Sequence, residues 1–438
     1  MPISATRQRW GVLRSLGALL DSERHFRRRA RSGKPFGMQI PGLGEVLFAS
    51  RSDHVREFLA IAPASTTPPL PNPIEPVVGT GSIILLDGEP HRRERARLLP
   101  ALQGERIRRY APAMAAATRD QIATWTPGSP IDARDAAQTI TLEIIVRAIF
   151  GVTERDRSAE FVSVVKSMMG AYVAPLMFFP PLRRAPGGLG PWRRFTRRRG
   201  ELDRLLSGQI AARRASDCSA HDDVLSVLLA NDDDEPRTDD EVRQQLRTLL
   251  VSGHETTATT LAWALYHVHR DDLVRKRLLD ELAADGSADR LPKLPYLNAV
   301  IAETLRLHPT VSIVVRRLKH PVTAWKNSRA RGDVVGVALP ALHSDPAVWP
   351  DPQHFSPDRF LARKPTPQEY SPFGYGHRRC PGAAFANLEL AVILGTILTT
   401  VELRMSEQER RRKPPRSIPR GIAALPSRRI TLEVVRRL

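Results

Sequence analysis

The chain has 438 residues, 42% of them hydrophobic, enough for one large domain or two to three average ones with a sizeable core. Its 66 Lys+Arg against 47 Asp+Glu give a net charge of +19, which suits either an acidic partner or an arginine-rich solvated surface, and its two cysteines, Cys218 and Cys380, exclude a disulfide framework and place the protein in a reducing compartment, the cytoplasm. No stretch approaches the roughly 20 apolar residues of a membrane-spanning helix, so no membrane anchor is expected, and no secretory leader is read.

In chain order, GVLRSLGALL near the start, interrupted by Arg14, predicts a short amphipathic helix. MQIPGLGEVLFAS (38–50) predicts strand structure. Proline clusters at 63–76 and 175–192 predict loops, and NDDDEPRTDDE (231–241) predicts an acidic loop before a long central helix. Leu246 to Asp285 reads as one long, largely helical stretch, apolar at first and amphipathic later. LPYLNAVIAETLRLHP predicts a helix ended by Pro309. VSIVVRRL (311–318), DVVGVALPA (333–341) and ITLEVV (430–435) predict strands, and AAFANLELAVILGTILTTVEL predicts a core helix. The pattern is that of a single domain over 1–438, mainly α with small β-sheets.

The stretch SPFGYGHRRCPGAAFANLEL, beginning at Ser371, concentrates the chemistry. Gly374 and Gly376 permit positive φ and a close approach of the backbone to another group. Pro381 fits the first position of a helix, whose free N–H groups would point back at the Cys380 sulfur. Arg378 and Arg379 add positive charge, and each of these features favours thiolate over thiol. A thiolate held this way serves as nucleophile, with His377 as the local base, or as a metal ligand. Zinc would need further Cys or His ligands at recognisable spacing, and HETTA at 254–258 lacks the second histidine of a zinc-protease helix. Haem needs one thiolate and a flat approach of glycine backbone. A buried structural cysteine in a tight turn is the plain alternative. The loop by itself leaves these readings open.

Phe373, Gly376, Arg378, Cys380 and Gly382 match every fixed position of the haem-binding pattern of the cytochrome P-450 family, phenylalanine-x-x-glycine-x-arginine-x-cysteine-x-glycine. Glu303-Thr-Leu-Arg306 resembles the family's glutamate-x-x-arginine helix, and Pro357-Asp-Arg-Phe360 its downstream partner segment. Ser252-Gly-His-Glu-Thr-Thr257 resembles the oxygen-activating part of the long helix, and His91 with Arg95 the propionate-binding pair. The motifs stand in family order, and the resemblance spans essentially the whole chain.

The resemblance implies a single-domain cytochrome P-450 fold with haem b between the central helix and the helix after the cysteine loop, its iron ligated axially by Cys380. It implies that His91, Arg95, Arg316 (with Arg317 adjacent) and Arg378 hold the haem carboxylates. It pairs Glu303 and Arg306 with Arg359 in a buried charge network. Gly253 would let the central helix pass close to the haem, and Thr256 would bond a helical carbonyl and open a groove. Glu255 and Thr256 would relay the protons that oxygen activation consumes, Glu255 connecting to solvent. His254 is read as a packing residue. Ser252 stands where the family usually carries alanine or glycine. The basic KNSRARG segment and Pro340 depart from the family pattern and put the shape of that hairpin in question.

The implied activity is a monooxygenase that hydroxylates or epoxidises a hydrophobic small molecule such as a fatty acid, terpenoid or polyketide. The loop at 64–86, MMGAYVAPLMFFPP (168–181) and TVSIVV (310–315) would face the pocket. No flavin- or nicotinamide-binding segment is present, so an acidic ferredoxin or flavodoxin would supply electrons, docking on the basic cysteine side of a monomer. The alternative is a haem-thiolate isomerase, dehydratase or peroxygenase without external electrons. Those branches typically lose the acid–alcohol pair, which is intact here. A nucleic-acid-binding role would need a binding motif or basic-aromatic surface, and none is read.

Overall fold

The computed structural model describes residues 17–438 except Leu19, Phe179, 185–188, 231–235, Lys326 and 421–422. Most of GVLRSLGALL and the first half of the acidic loop lie outside the described residues.

The long central helix, Asp239–Arg270, is 32 residues and so spans about 48 Å. Its start is a capping box: the Thr238 hydroxyl accepts the Glu241 N–H and the Glu241 carboxylate accepts the Thr238 N–H. Asp239, Asp240 and Glu241 in the first turn face the positive end of the helix dipole. The predicted stretch to Asp285 is two helices. Asp271 is extended, and its carboxylate caps Asp272–Asp285 by accepting from Leu273 and Val274 N–H. An aspartate at an N-cap competes with helix continuation, which is why the break falls there.

The central helix packs on Ala133–Ile144, which continues as a π-helical turn over Ile145–Ile149, and on Ala383–Thr400. Among the described residues Ala383–Thr400 is the one helix long and apolar enough to cross a membrane, and 72% of it is buried inside the protein. Leu390, Val392, Ile393 and Leu394 lie in the same core as Leu261, Trp263 and Leu265 of the central helix.

The strands form small sheets: β1 (Phe36–Ile40), β2 (Gly44–Ala49), β3 (Thr66–Thr67), β4 (Pro130–Asp132), β5 (Ile313–Leu318), β6 (Val322–Ala324), β7 (Asn327–Arg329), β8 (Val334–Ala338), β9 (Val401–Arg404), β10 (Ser417–Arg420), β11 (Ala423–Pro426) and β12 (Thr431–Arg437). The largest has the order β1-β2-β8-β5-β3. Gly336 in β8 is required there, since a Cβ would lie 2.5 Å from the Val314 carbonyl oxygen of β5. MQIPGLGEVLFAS forms most of the β1–β2 hairpin, with Ile40 opposite Gly44.

The segment that departs from the family pattern still makes a hairpin, with Val322 opposite Arg329. Buried Trp325, at φ 53, turns it and donates its indole N–H to the His54 carbonyl at 3.0 Å. β8 stops at Ala338, earlier than DVVGVALPA predicts, because Leu339–Leu342 forms a helical turn with Pro340 in its first positions.

Candidate active site

The cysteine loop is shaped by two left-handed glycines, Gly374 at φ 68 and Gly376 at φ 70. The Cys380 N–H donates to the Phe373 carbonyl at 2.9 Å, closing the turn. A Cβ added at either glycine would meet no protein atom within 4 Å, so space lies open beside the loop. The following helix begins at Ala383 with Gly382 as its cap, two residues after the predicted start at Pro381. The Gly382 backbone amide and the Arg95 and Arg379 charges favour the Cys380 thiolate. Burial nevertheless pushes the Cys380 thiol up, outweighing Gly382, Arg95 and Arg379. The loop alone therefore does not favour the thiolate as its charges suggest, and a bound metal cation would supply the missing counter-charge.

Three elements bring cations together beside this loop. His91 and Arg95 lie one turn apart on the helix Gly88–Leu102, Arg316 lies on β5, and His377 and Arg378 lie in the loop. The rings of His91 and His377 are 6.3 Å apart, edge to face. Arg95 Nη1 donates to the Arg379 carbonyl at 2.7 Å. Burial, then Arg378 and Arg95, push His91 down to about 4. Burial, then Arg378, push Arg316 down to about 10. Arg316 donates to the Val315 carbonyl at 2.8 Å, and among the described residues no carboxylate pairs with Arg316 or Arg95. Arg317 points the other way, to the Gly332 and Leu70 carbonyls. Strand alternation thus separates the two neighbouring arginines.

On the central helix, Thr256 Oγ1 donates to the Ser252 carbonyl at 2.5 Å, yet the helix runs unbroken through this stretch. The Glu255 carboxylate accepts from Arg134 Nη2 at 2.7 Å and Gln138 Nε2 at 2.9 Å. Together with Arg134, Gln138 and Lys166 it lines a cavity of ≈ 580 Å³. Ile74, Val77, Met169 and Met177 also line it, but no residue of the cysteine loop or of TVSIVV, nor Thr256, does. Met168 is fully in the core, and the Phe178 and Phe179 side chains lie outside the described ones. His254 is buried against Thr141, with Nδ1 at 3.0 Å from its hydroxyl, and burial takes it down to about 4. Gly253 lies one turn before Thr256, and a Cβ there would meet Ile145 Cδ1 of the π-helical turn at 3.6 Å and no other side chain within 4 Å.

Glu303 and Arg306 are fully buried and doubly bonded, at 2.6 and 2.8 Å, and Arg359 Nε reaches Glu303 at 3.1 Å. Arg306 also donates to the His343 carbonyl, while His343 Nε2 accepts the Ser371 N–H at 3.1 Å. The predicted charge network therefore abuts the first residue of the cysteine loop.

The sequence signature of the family described as cytochrome P-450 matches residues 24–434. The chain is 34% identical over 372 residues to a Mycobacterium tuberculosis protein named cytochrome P-450 135A1, covering 83% of this chain and 80% of that one. The chain belongs to the cytochrome P-450 family. It is also 33% identical over 406 residues to cytochrome P-450 138 of Mycobacterium bovis, covering 90% and 88%. Its fold is that of solved cytochromes P-450. The retinoic acid-bound cyanobacterial CYP120A1 superposes with a TM-score of 0.81 at 23% identity, covering 97% of this chain and 96% of that one. The haem domain of cytochrome P-450DA gives 0.82 at 23% identity, covering 97% and 94%.

Cytochromes P-450 are monooxygenases that bind haem b through an axial cysteine thiolate. The residues here fit that group: a half-buried thiol without a cationic ligand, open space over the glycine turn, and guanidinium groups lacking carboxylate partners. Reading the sequence missed Arg134 and Gln138. Their spacing of four was the available signal, but nothing local ties them to Glu255. It also missed Glu389, a carboxyl buried beside Thr257 and pushed up to about 8 by burial.

Proposed function

We propose that this cytochrome P-450 inserts one oxygen atom of dioxygen into a hydrophobic small molecule, by hydroxylation or epoxidation, as a single-domain monomer in the cytoplasm. Cys380 would ligate the haem iron, and His91, Arg95, Arg316 and Arg378 would hold its carboxylates. The bound haem supplies the oxygen chemistry. The observation that carries this reading is the half-buried Cys380 thiol with Arg95 acting on it, in a cluster where no carboxylate of the described chain neutralises Arg95 or Arg316.

Around that centre the chain's own residues orient substrate, exclude water and move protons. Glu255 faces a cavity and is held by Arg134 and Gln138, so it exchanges protons with the cavity and passes them toward Thr256, the next residue. The Thr256 hydroxyl delivers or orders water at the reacting oxygen. Ile74, Val77, Met169 and Met177 supply apolar surface for a lipophilic substrate of the fatty-acid, terpenoid or polyketide kind. Electrons come from an acidic ferredoxin or flavodoxin that docks beside exposed His377 and Arg379.

The test is a carbon monoxide difference spectrum of the reduced, haem-supplied protein, followed by turnover under labelled dioxygen. A strongly red-shifted Soret band that disappears in Cys380→Ala, with label in the product only when an acidic electron donor is added, is expected. A band like that of a histidine-ligated haem would overturn the ligand assignment. Product formed without any external electrons would overturn the monooxygenase reading in favour of an isomerase, dehydratase or peroxygenase.

A further inference from the structure

The cation cluster contains one acid that its motifs do not include. Asp87 immediately precedes the helix that carries His91 and Arg95. Its carboxylate pairs with Lys319, just beyond β5, and with Arg378 of the cysteine loop at 3.3 Å. It also acts on His91 and His377, while no carboxylate of the described residues pairs with Arg95 or Arg316. One side chain thus joins three separate pieces of chain around the site. The remaining donors of Arg378 go to the Ile83 and Leu86 carbonyls, so its guanidinium is already turned toward the segment that ends at Asp87.

We propose that Asp87 is a positioning residue for the haem, and this rests on the haem-thiolate reading above. Its carboxylate anchors Arg378 and Lys319 and so fixes the Arg378 guanidinium beside Arg95 and Arg316, which carry no carboxylate partner. Its negative charge also sets how readily the iron accepts an electron. An anion near the iron favours the oxidised, more positive state, because charges interact strongly in a partly buried site. Removing it favours reduction. Removing the cation that neutralises it has the opposite sign.

The experiment is a spectroelectrochemical titration of the haem-loaded wild type, Asp87→Asn, Asp87→Glu and Lys319→Gln, each checked for its carbon monoxide band. Asp87→Asn is expected to raise the midpoint potential with the thiolate band intact, Asp87→Glu to return it toward wild type, and Lys319→Gln to lower it. A role confined to folding would alter haem content or melting temperature and leave the potential in place. Should Asp87→Asn fail to retain haem, the sign of the Lys319→Gln shift decides. Thiolate-ligated protein in which neither substitution moves the potential overturns the Asp87 proposal and leaves the function standing. A wild type without the thiolate band overturns both.

Discussion

The ring of His343 accepts the backbone N–H of Ser371 at 3.1 Å, and through this bond the buried charge network holds the start of the cysteine loop. Burial pushes His343 down to about 3, so its ring stays neutral and its Nε2 lone pair remains an acceptor throughout the working pH range. Replacing His343 by Ala strands a buried N–H and is expected to cost about 1–3 kcal/mol. Urea unfolding measures this, and haem retention should fall with it. Unchanged stability would sever the proposed link.

Breaking the network at its centre should cost more. Arg306→Ala leaves Glu303 charged, fully buried and with Arg359 as its remaining cationic partner. Removing one partner of a buried pair is destabilising by about 3–5 kcal/mol. A thermal melt of the variant that stays within a degree or two of wild type would contradict this.

Arg316 and Arg317 make an internal control. Arg316→Gln should speed loss of haem to an apo-globin acceptor, because its guanidinium stands in the cluster without a carboxylate. Arg317→Gln, which removes only partly exposed bonds to Gly332 and Leu70, should change stability by no more than about 0.5 kcal/mol and leave the rate of haem loss alone. Equal effects would mean the face of β5 does not matter.

Thr256→Val keeps the side-chain shape and removes the hydroxyl. Product formation should fall by about a hundredfold or more, the range for loss of positioned proton transfer, while the carbon monoxide spectrum is preserved. Steady-state product analysis measures it. Wild-type turnover in the variant would remove Thr256 from the relay.

Glu389 gives a pH prediction. Its carboxyl is pushed up to about 8 by burial, so the folded state holds a proton that the unfolded chain releases near its ordinary value of 4.5. The folded state binds more protons through this window, so stability falls as pH rises from about 4.5 to 8, by up to about 1.4 kcal/mol per unit. Glu389→Gln should flatten that slope in urea unfolding across the same range. A slope identical to wild type would show that the carboxyl is ionised in the folded protein.

What the sequence determined by itself is what local chemistry governs. The left-handed turn at Gly374 and Gly376, the capping box at Thr238 and Glu241, the three-residue spacing of Glu303 and Arg306, and the apolar run of Ala383–Thr400 all follow from residues near one another in the chain. Motif order then identified the family and the cysteine ligand. Tertiary structure alone decided which groups meet across long separations. The register of β5 on β8 put Arg316 and not Arg317 beside the loop. The crossing of the central helix with its neighbour gave Glu255 its Arg134 and Gln138 partners. Burial, a property of the whole fold, set the Cys380 thiol and the Glu389 carboxyl, and chain folding drew Asp87 between cations contributed by two distant segments, Lys319 and Arg378. Desolvation and long-range Coulomb terms depend on what surrounds a group in space, and sequence neighbours do not encode them.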